Sequence, residues 1–219
     1  MIKLPDFDKA FEHENNFYLS CGLKRISKFA AHHELFKMVA DLPGQILECG
    51  VFKGASFVRF AMFRSLFGNV FSKKLIGFDT FGRFPDTEFE TDIRARAKFI
   101  SAAGEQSISE AQLLKILKRN SLDKNVELVS GNICDTIPKY VEDNPQLKLS
   151  LVNLDTDIYE PAVTILNHLW PRIVKGGILI VDDYGVFPGE TKAIDDFFKN
   201  SVRLQKFPFA MTPTYIVKE

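Results

Sequence analysis

The sequence predicts an α/β fold of the doubly wound type, in which a mostly parallel sheet carries helices on both faces. Three observations lead there. From residue 46 onward, short apolar runs alternate with helical stretches, the pattern of βαβ units. The first run opens directly into a glycine-containing loop, ILECGVFKGAS. Two later runs, Leu149 to Leu154 and Ile178 to Val181, end abruptly in aspartates, which is how buried parallel strands deliver acids to the rim of a sheet.

Residues 1–45 are rich in Phe, His and charge. Ile26, Phe29, Ala30, Phe36, Met38 and Val39 recur at helical spacing until Leu42-Pro43-Gly44 stops the pattern, so this stretch is expected as a helical preface to one domain at 46–219. Strands are then expected at 46–50, 74–79, 126–130, 149–154 and 177–182, and helices at 55–67, 135–143, 161–170 and 190–199. The apolar runs at Val202 to Phe207 and Thr214 to Val217 have only FAMTP near the join and no crossover helix, which predicts an antiparallel hairpin. Segment 80–120 begins with the turn-like FGRFPDTEFETD and continues in helical pieces. It reads as an insertion or lid over the carboxyl edge of the sheet, since long connections in compact domains are usually functional.

Composition narrows the function. With 219 residues and 46% apolar content, the chain suits one domain with a sizeable core. Lys and Arg number 28 and Asp and Glu 28, without a basic stripe, so nothing electrostatic points to nucleic acid or an anionic membrane, and a small-molecule partner is expected. Cys21, Cys49 and Cys134 are too widely spaced for a zinc knuckle or a disulfide framework. They suit a reducing compartment, and Cys49 reads as core. No apolar run approaches the ~20 residues that span a bilayer, and MIKLPDFDKA lacks the apolar core of a secretory signal, so a cytoplasmic location is expected.

The loop after the first strand places Gly50 and Gly54 where backbone approaches a ligand closely, although the spacing is not the dinucleotide fingerprint. Glu48 ends that strand as an acid among apolar residues, and either meets an amino group on a ligand or satisfies nearby backbone donors. Asp79 ends the second strand, and either accepts hydrogen bonds from the two hydroxyls of a ribose or caps the next turn. Thr80 and Phe81 follow it, with Phe81 close enough to stack near a nucleoside. Gly131 and Asn132 close the third strand beside an adenine edge.

Asp155, Asp157, Asp182 and Asp183 are expected to sit together, where they must share protons, pair with cations or hold a metal. No Lys or Arg interrupts either acidic segment, so the metal reading fits best, and an all-oxygen donor set suits Mg²⁺. His32 and His33 on the preface read as one buried and one exposed residue. Lys24 and Arg25 read as solvated surface unless the substrate carries a phosphate.

The blocks ECGVFKGAS, GFDTFGRFPD, LDTDIYEPA, GGILIVDDYG and PGETKAIDDFF, in this order, resemble the macrocin O-methyltransferase (TylF-like) family of S-adenosylmethionine-dependent enzymes, over roughly residues 20–219. The resemblance implies a Rossmann-like seven-stranded methyltransferase sheet. By position it implies that Glu48, Gly50, Gly54, Ser56 and Asp79 hold S-adenosylmethionine. It also implies Mg²⁺ on Asp155, Asp182 and Asp183, with Asp157 as general base, and a hydroxylated acceptor such as a free, glycosidic or nucleotide-linked sugar. The aromatic preface either covers the site or pairs with another subunit. Three other readings compete. A phosphatase with a nucleophilic first aspartate would use LDTD followed by DD, but such sites usually want a Thr or Val where Ile158 and Tyr159 stand and a Lys between the blocks. A glycosyltransferase would use Asp155-Thr156-Asp157 as a metal-holding triplet but leaves ECGVFKGAS and Asp79 without a task. A relative that binds the nucleoside without turnover would have no need of all four acids.

Overall fold

The computed structural model describes all 219 residues. Six strands, β1 (Gln45–Cys49), β2 (Leu75–Asp79), β3 (Val126–Ser130), β4 (Leu149–Leu154), β5 (Ile173–Val181) and β6 (Thr214–Val217), form one sheet in the order β3-β2-β1-β4-β5-β6. Every neighbouring pair is parallel except β5 with β6. The central strands β2 and β4 are buried throughout, as their near-continuous apolar sequences require once helices cover both faces.

Alternate residues of each strand feed two separate cores. Leu47, Phe78, Val152 and Leu179 face one side, against α6 (Ile133–Asp143), α7 (Tyr159–Leu169) and α8 (Pro188–Phe198). Ile46, Leu75, Leu151 and Ile178 face the other, against α2 (Leu23–Met38), α3 (Ala55–Phe67) and α5 (Glu110–Arg119). Of the segment 80–120, α5 is a crossover helix between β2 and β3. It starts at a capping box made by Ser109 and Gln112 and buries Leu113 and Leu117. The preceding helix α4 (Glu90–Ala103) buries only Asp92. The amino-terminal α1 (Ala10–Ser20) buries nothing, whereas α2 lays His32 and Phe36 against Phe60 of α3.

The seventh strand expected at 202–207 is absent as a strand. Val202 and Leu204 pack into the first core and Phe207 into the second, so the chain crosses from one face of the sheet to the other within a few residues. That crossing leaves room for one antiparallel bridge, Gln205 with Tyr215. No helix is long and apolar enough to cross a membrane.

Candidate active site

The strand order reverses between β1 and β4, and the crevice outside their carboxyl ends is where open α/β sheets place ligands. A cavity of about 820 Å³ opens there. Its wall includes Gly50, Ser56, Asp79, Thr80, Asn132, Asp155, Asp157 and Asp183 from the residues singled out in the sequence. Glu48, Gly54, Phe81, Gly131 and Asp182 stand behind that surface.

The glycine loop is built by close approach. Gly50 has φ +90°, and a Cβ there would lie 1.8 Å from the Asp155 carbonyl oxygen, so only glycine lets β1 leave the sheet past β4. Gly54 has φ +83° and serves as the N-cap of α3. Asp79 accepts hydrogen bonds from the backbone N–H of Phe52 at 2.8 Å and of Phe81 at 2.7 Å, which ties the glycine loop to the turn after β2. The Thr80 hydroxyl also donates to it at 3.3 Å, and since an ionised carboxylate has about four acceptor positions, capacity remains for a ligand. Phe81 takes φ +48° and turns into the second core, away from the stacking position expected of it. Asn132 lines the cavity while its side chain caps α6 through the Cys134 N–H at 3.0 Å. Gly131 donates its N–H to the Asp79 carbonyl.

Glu48 is fully buried and accepts from Asn153 Nδ2 at 3.2 Å, while its second oxygen has no partner. Burial pushes its carboxyl up to about 8, with Ser56, Asn153 and the Arg59 charge opposing.

The acids divide differently from the expected set. Ligand atoms of Asp155, Asp157 and Asp183 lie within 4.8 Å of one another. Asp182 makes a different set of contacts. It is buried, forms an ion pair with Lys28 of α2, and lies 3.5 Å from His32 Nε2 in a contact too poorly aligned to be a hydrogen bond. Strand β5 ends at Val181 and the chain turns from Asp182 onward, with Asp182 still donating its N–H to the Leu154 carbonyl. Lys28 Nζ lies within 3.9 Å of both Asp182 and Asp155, so Asp182 borders the acid cluster through a shared cation rather than through the close carboxylate contacts of Asp155, Asp157 and Asp183.

Cations do reach the acids, from distant sequence. Lys28 Nζ also lies 3.9 Å from Asp155, and Arg59 of α3 hydrogen bonds His32 Nδ1 at 3.0 Å. Burial works against the Asp182 carboxylate, but the Lys28 charge and the His32 ring outweigh it and hold the carboxyl at about 2. The other acids move the opposite way. Burial, then the charge of Asp182, pushes Asp155 well above the ordinary carboxylate range, and burial, then Asp183 and Asp155, does the same to Asp157. Asp157 also has φ +65°, a left-handed conformation uncommon for a residue with a side chain.

Glu190 of α8 completes the cluster. It is buried, accepts the Asp183 N–H at 2.9 Å and leaves its other oxygen unpartnered. Five carboxyl groups, Asp155, Asp157, Asp182, Asp183 and Glu190, thus meet two permanent cations, Lys28 and Arg59, leaving an excess of three negative charges if all ionise. An all-oxygen cluster with that excess fits a hard divalent cation.

A second wall comes from the segment before α4. Glu160 at the start of α7 accepts the N–H groups of Glu88 at 2.8 Å and Phe89 at 3.1 Å. Asp92 accepts the N–H of Tyr159 at 2.9 Å and of Gly189 at 2.8 Å, clamping α4 to the amino ends of α7 and α8. A Cβ at Gly189 would meet Asp92 Oδ2 at 1.8 Å. Phe84, Phe99, Phe52 and Phe187 complete this side as an aromatic chain.

Sequence reasoning missed Lys28, Arg59, Glu160, Asp92 and Glu190 as site residues. Lys24, Lys28 and His32 recur every four residues on one stripe of α2, a visible signal that polar side chains face inward there. Glu160 and Glu190 lie inside the LDTDIYEPA and PGETKAIDDFF blocks.

A family model described as Macrocin-O-methyltransferase (TylF) matches residues 14–209. The 8-demethyl-8-(2,3-dimethoxy-alpha-L-rhamnosyl)-tetracenomycin-C 4'-O-methyltransferase of Streptomyces olivaceus is 27% identical over 168 residues, 75% of this chain and 62% of its own length. The mycinamicin III 3''-O-methyltransferase of Micromonospora griseorubida is 27% identical over 181 residues, 80% of this chain and 68% of its own length. The match thus spans a little over three-fifths to two-thirds of these curated relatives. Among solved structures, the calicheamicin methyltransferase CalS11 superposes with a TM-score of 0.78 at 27% identity, covering 94% of this chain and 84% of that one.

Proposed function

Since the chain belongs to the macrocin O-methyltransferase family of S-adenosylmethionine-dependent O-methyltransferases, we propose that it transfers a methyl group from S-adenosylmethionine to a hydroxyl of a sugar or sugar-bearing small molecule. The observation that carries this reading is the convergence of Asp155, Asp157 and Asp183 beside a glycine loop in one cavity. The same pairing is unexplained by a glycosyltransferase, which has no use for the loop. Relatives named for methylating rhamnosyl and mycinamicin hydroxyls support a sugar as acceptor.

Gly50 lets the backbone pass close to the donor, Asp79 offers its remaining acceptor capacity to ribose hydroxyls, and Glu48 stands behind the loop with one oxygen unpartnered. Asp155, Asp157 and Asp183 are the residues that would hold Mg²⁺, which when bound lowers the pKa of a hydroxyl. The sulfonium is already a strong methyl donor, so the protein's main task is to activate the oxygen. Asp157 is the residue for that proton: it stands in the cavity wall beside Asp155 and Asp183, and a carboxylate with one oxygen toward the ion keeps the other for a hydroxyl. Lys28 holds Asp182 ionised at the edge of this acid cluster.

The test is methyl transfer from isotopically labelled S-adenosylmethionine to a panel of free, glycosidic and nucleotide-linked sugars, with and without Mg²⁺. A labelled, O-methylated sugar formed only with the ion supports the reading. Nucleoside binding without transfer to any acceptor would support a non-catalytic relative instead.

A further inference from the structure

One wall of the cavity is cationic and largely unpaired. Lys24, Arg25 and Lys28 of α2 and Arg59 of α3 all line it. Lys28 is engaged by Asp182 and Asp155. The other three have no carboxylate within 4.0 Å, whereas Lys37 pairs with Glu34 on the same helix α2. The single hydrogen bond of the Arg59 guanidinium goes to His32, a neutral partner at 3.0 Å, and its plane lies near the Phe29 ring at 5.6 Å. The guanidinium lies in the field of Glu48, Asp182 and Asp155 but makes no direct contact with a carboxylate, so it has donors to spare for an anion.

We propose that Lys24, Arg25 and Arg59 form an anion subsite that binds the phosphate of a phosphorylated acceptor, a sugar phosphate or a sugar linked through phosphate to a nucleoside. The inference deepens the methyltransferase reading and rests on it for the identity of the site. Two anions can reach this wall, the carboxylate of the donor's methionine moiety and a group on the acceptor. Three unpaired cations exceed what one carboxylate needs and suit a group with two or more negative charges. Lys24 and Arg25 are exposed where α2 borders the cavity.

Calorimetric titration in metal-free buffer tests this with S-adenosylhomocysteine, glucose 1-phosphate and methyl glucoside, on the protein and on its Lys24→Glu/Arg25→Glu variant. Both substituted residues are exposed, so the variant keeps the fold, and an unchanged melting temperature verifies it. We expect glucose 1-phosphate to bind at least about tenfold tighter than methyl glucoside and to weaken about tenfold on charge reversal, while S-adenosylhomocysteine stays within about twofold. Equal binding of the two sugars, no binding of glucose 1-phosphate, or an unchanged affinity in the variant overturns the subsite. Weakening confined to S-adenosylhomocysteine assigns the cations to the donor and also overturns it. Failure of the unaltered protein to bind S-adenosylhomocysteine removes the methyltransferase reading, whereas the phosphate response to charge reversal is read independently.

Discussion

Lys28 of α2 and Asp182 at the end of β5 form an ion pair across 154 positions of sequence, with Asp182 fully buried and Lys28 on the cavity wall. This contact joins the amino-terminal helix to the acidic edge of the sheet. It also explains why two adjacent aspartates do different work, since the pair fixes Asp182 inward and leaves Asp183 facing the cavity.

Removing one partner of that pair strands a buried charge. Lys28→Met is expected to destabilise the protein by about 3 kcal/mol, and Asp182→Asn in the same chain to restore part of the loss. Denaturant unfolding of both single variants and the double variant measures the coupling. Additive effects would show that the two side chains do not interact.

Glu48 makes stability depend on pH with a definite sign. Its carboxyl is raised to about 8 in the fold, so from roughly pH 4.5 to 8 the unfolded chain has released a proton that the folded chain retains. Stability of the metal-free protein therefore falls as pH rises through that window, by up to about 1.4 kcal/mol per pH unit from this group. Asp155, Asp157 and Glu190, also raised, act in the same direction. Thermal unfolding across pH checks this, and Glu48→Gln should flatten the curve and weaken S-adenosylhomocysteine binding.

Gly50→Ala tests the close approach of β1 and β4. With φ +90° and a Cβ 1.8 Å from the Asp155 carbonyl, the substitution must push the two strand ends apart. A loss of about 2 kcal/mol or more is expected, together with loss of nucleoside binding. Unaltered binding would show that the loop does not set the donor position.

Arg64 provides a contrast away from the cavity. Its guanidinium is buried and donates to the carbonyls of Lys73, Leu122, Lys124 and Asn125, closing the ends of α5 and β2 beneath the sheet. Arg64→Met leaves four carbonyls without this donor and is expected to cost about 3 kcal/mol. Because the substitution is remote from the site, affinity for S-adenosylhomocysteine measured below the melting range should not change.

The strands were legible because β1, β2 and β4 are short apolar runs, and burial on both faces demands that composition; β5 was legible only in its buried half, since it starts at Ile173 and carries Lys175-Gly176 before the apolar run expected at 177–182. The edge was less so. Val202 to Phe207 has strand-like composition, yet its side chains serve two different cores, a distinction only the fold can make. The acids at 155, 157 and 183 were visible as strand-end residues. The different fate of Asp182 was not, because its partner Lys28 comes from a helix whose sequence shows only a polar stripe. Phe81 misled for a related reason: its place after Asp79 suggests stacking, but a left-handed turn sends the ring into the core.

The most direct test of the central claim is calorimetric titration of S-adenosylhomocysteine and then Mg²⁺ into the protein and its Asp183→Asn variant. Both ligands should bind the unaltered protein, and the variant should keep the nucleoside while losing at least about tenfold in Mg²⁺ affinity. Absence of nucleoside binding, or Mg²⁺ binding indifferent to Asp183, would contradict the account.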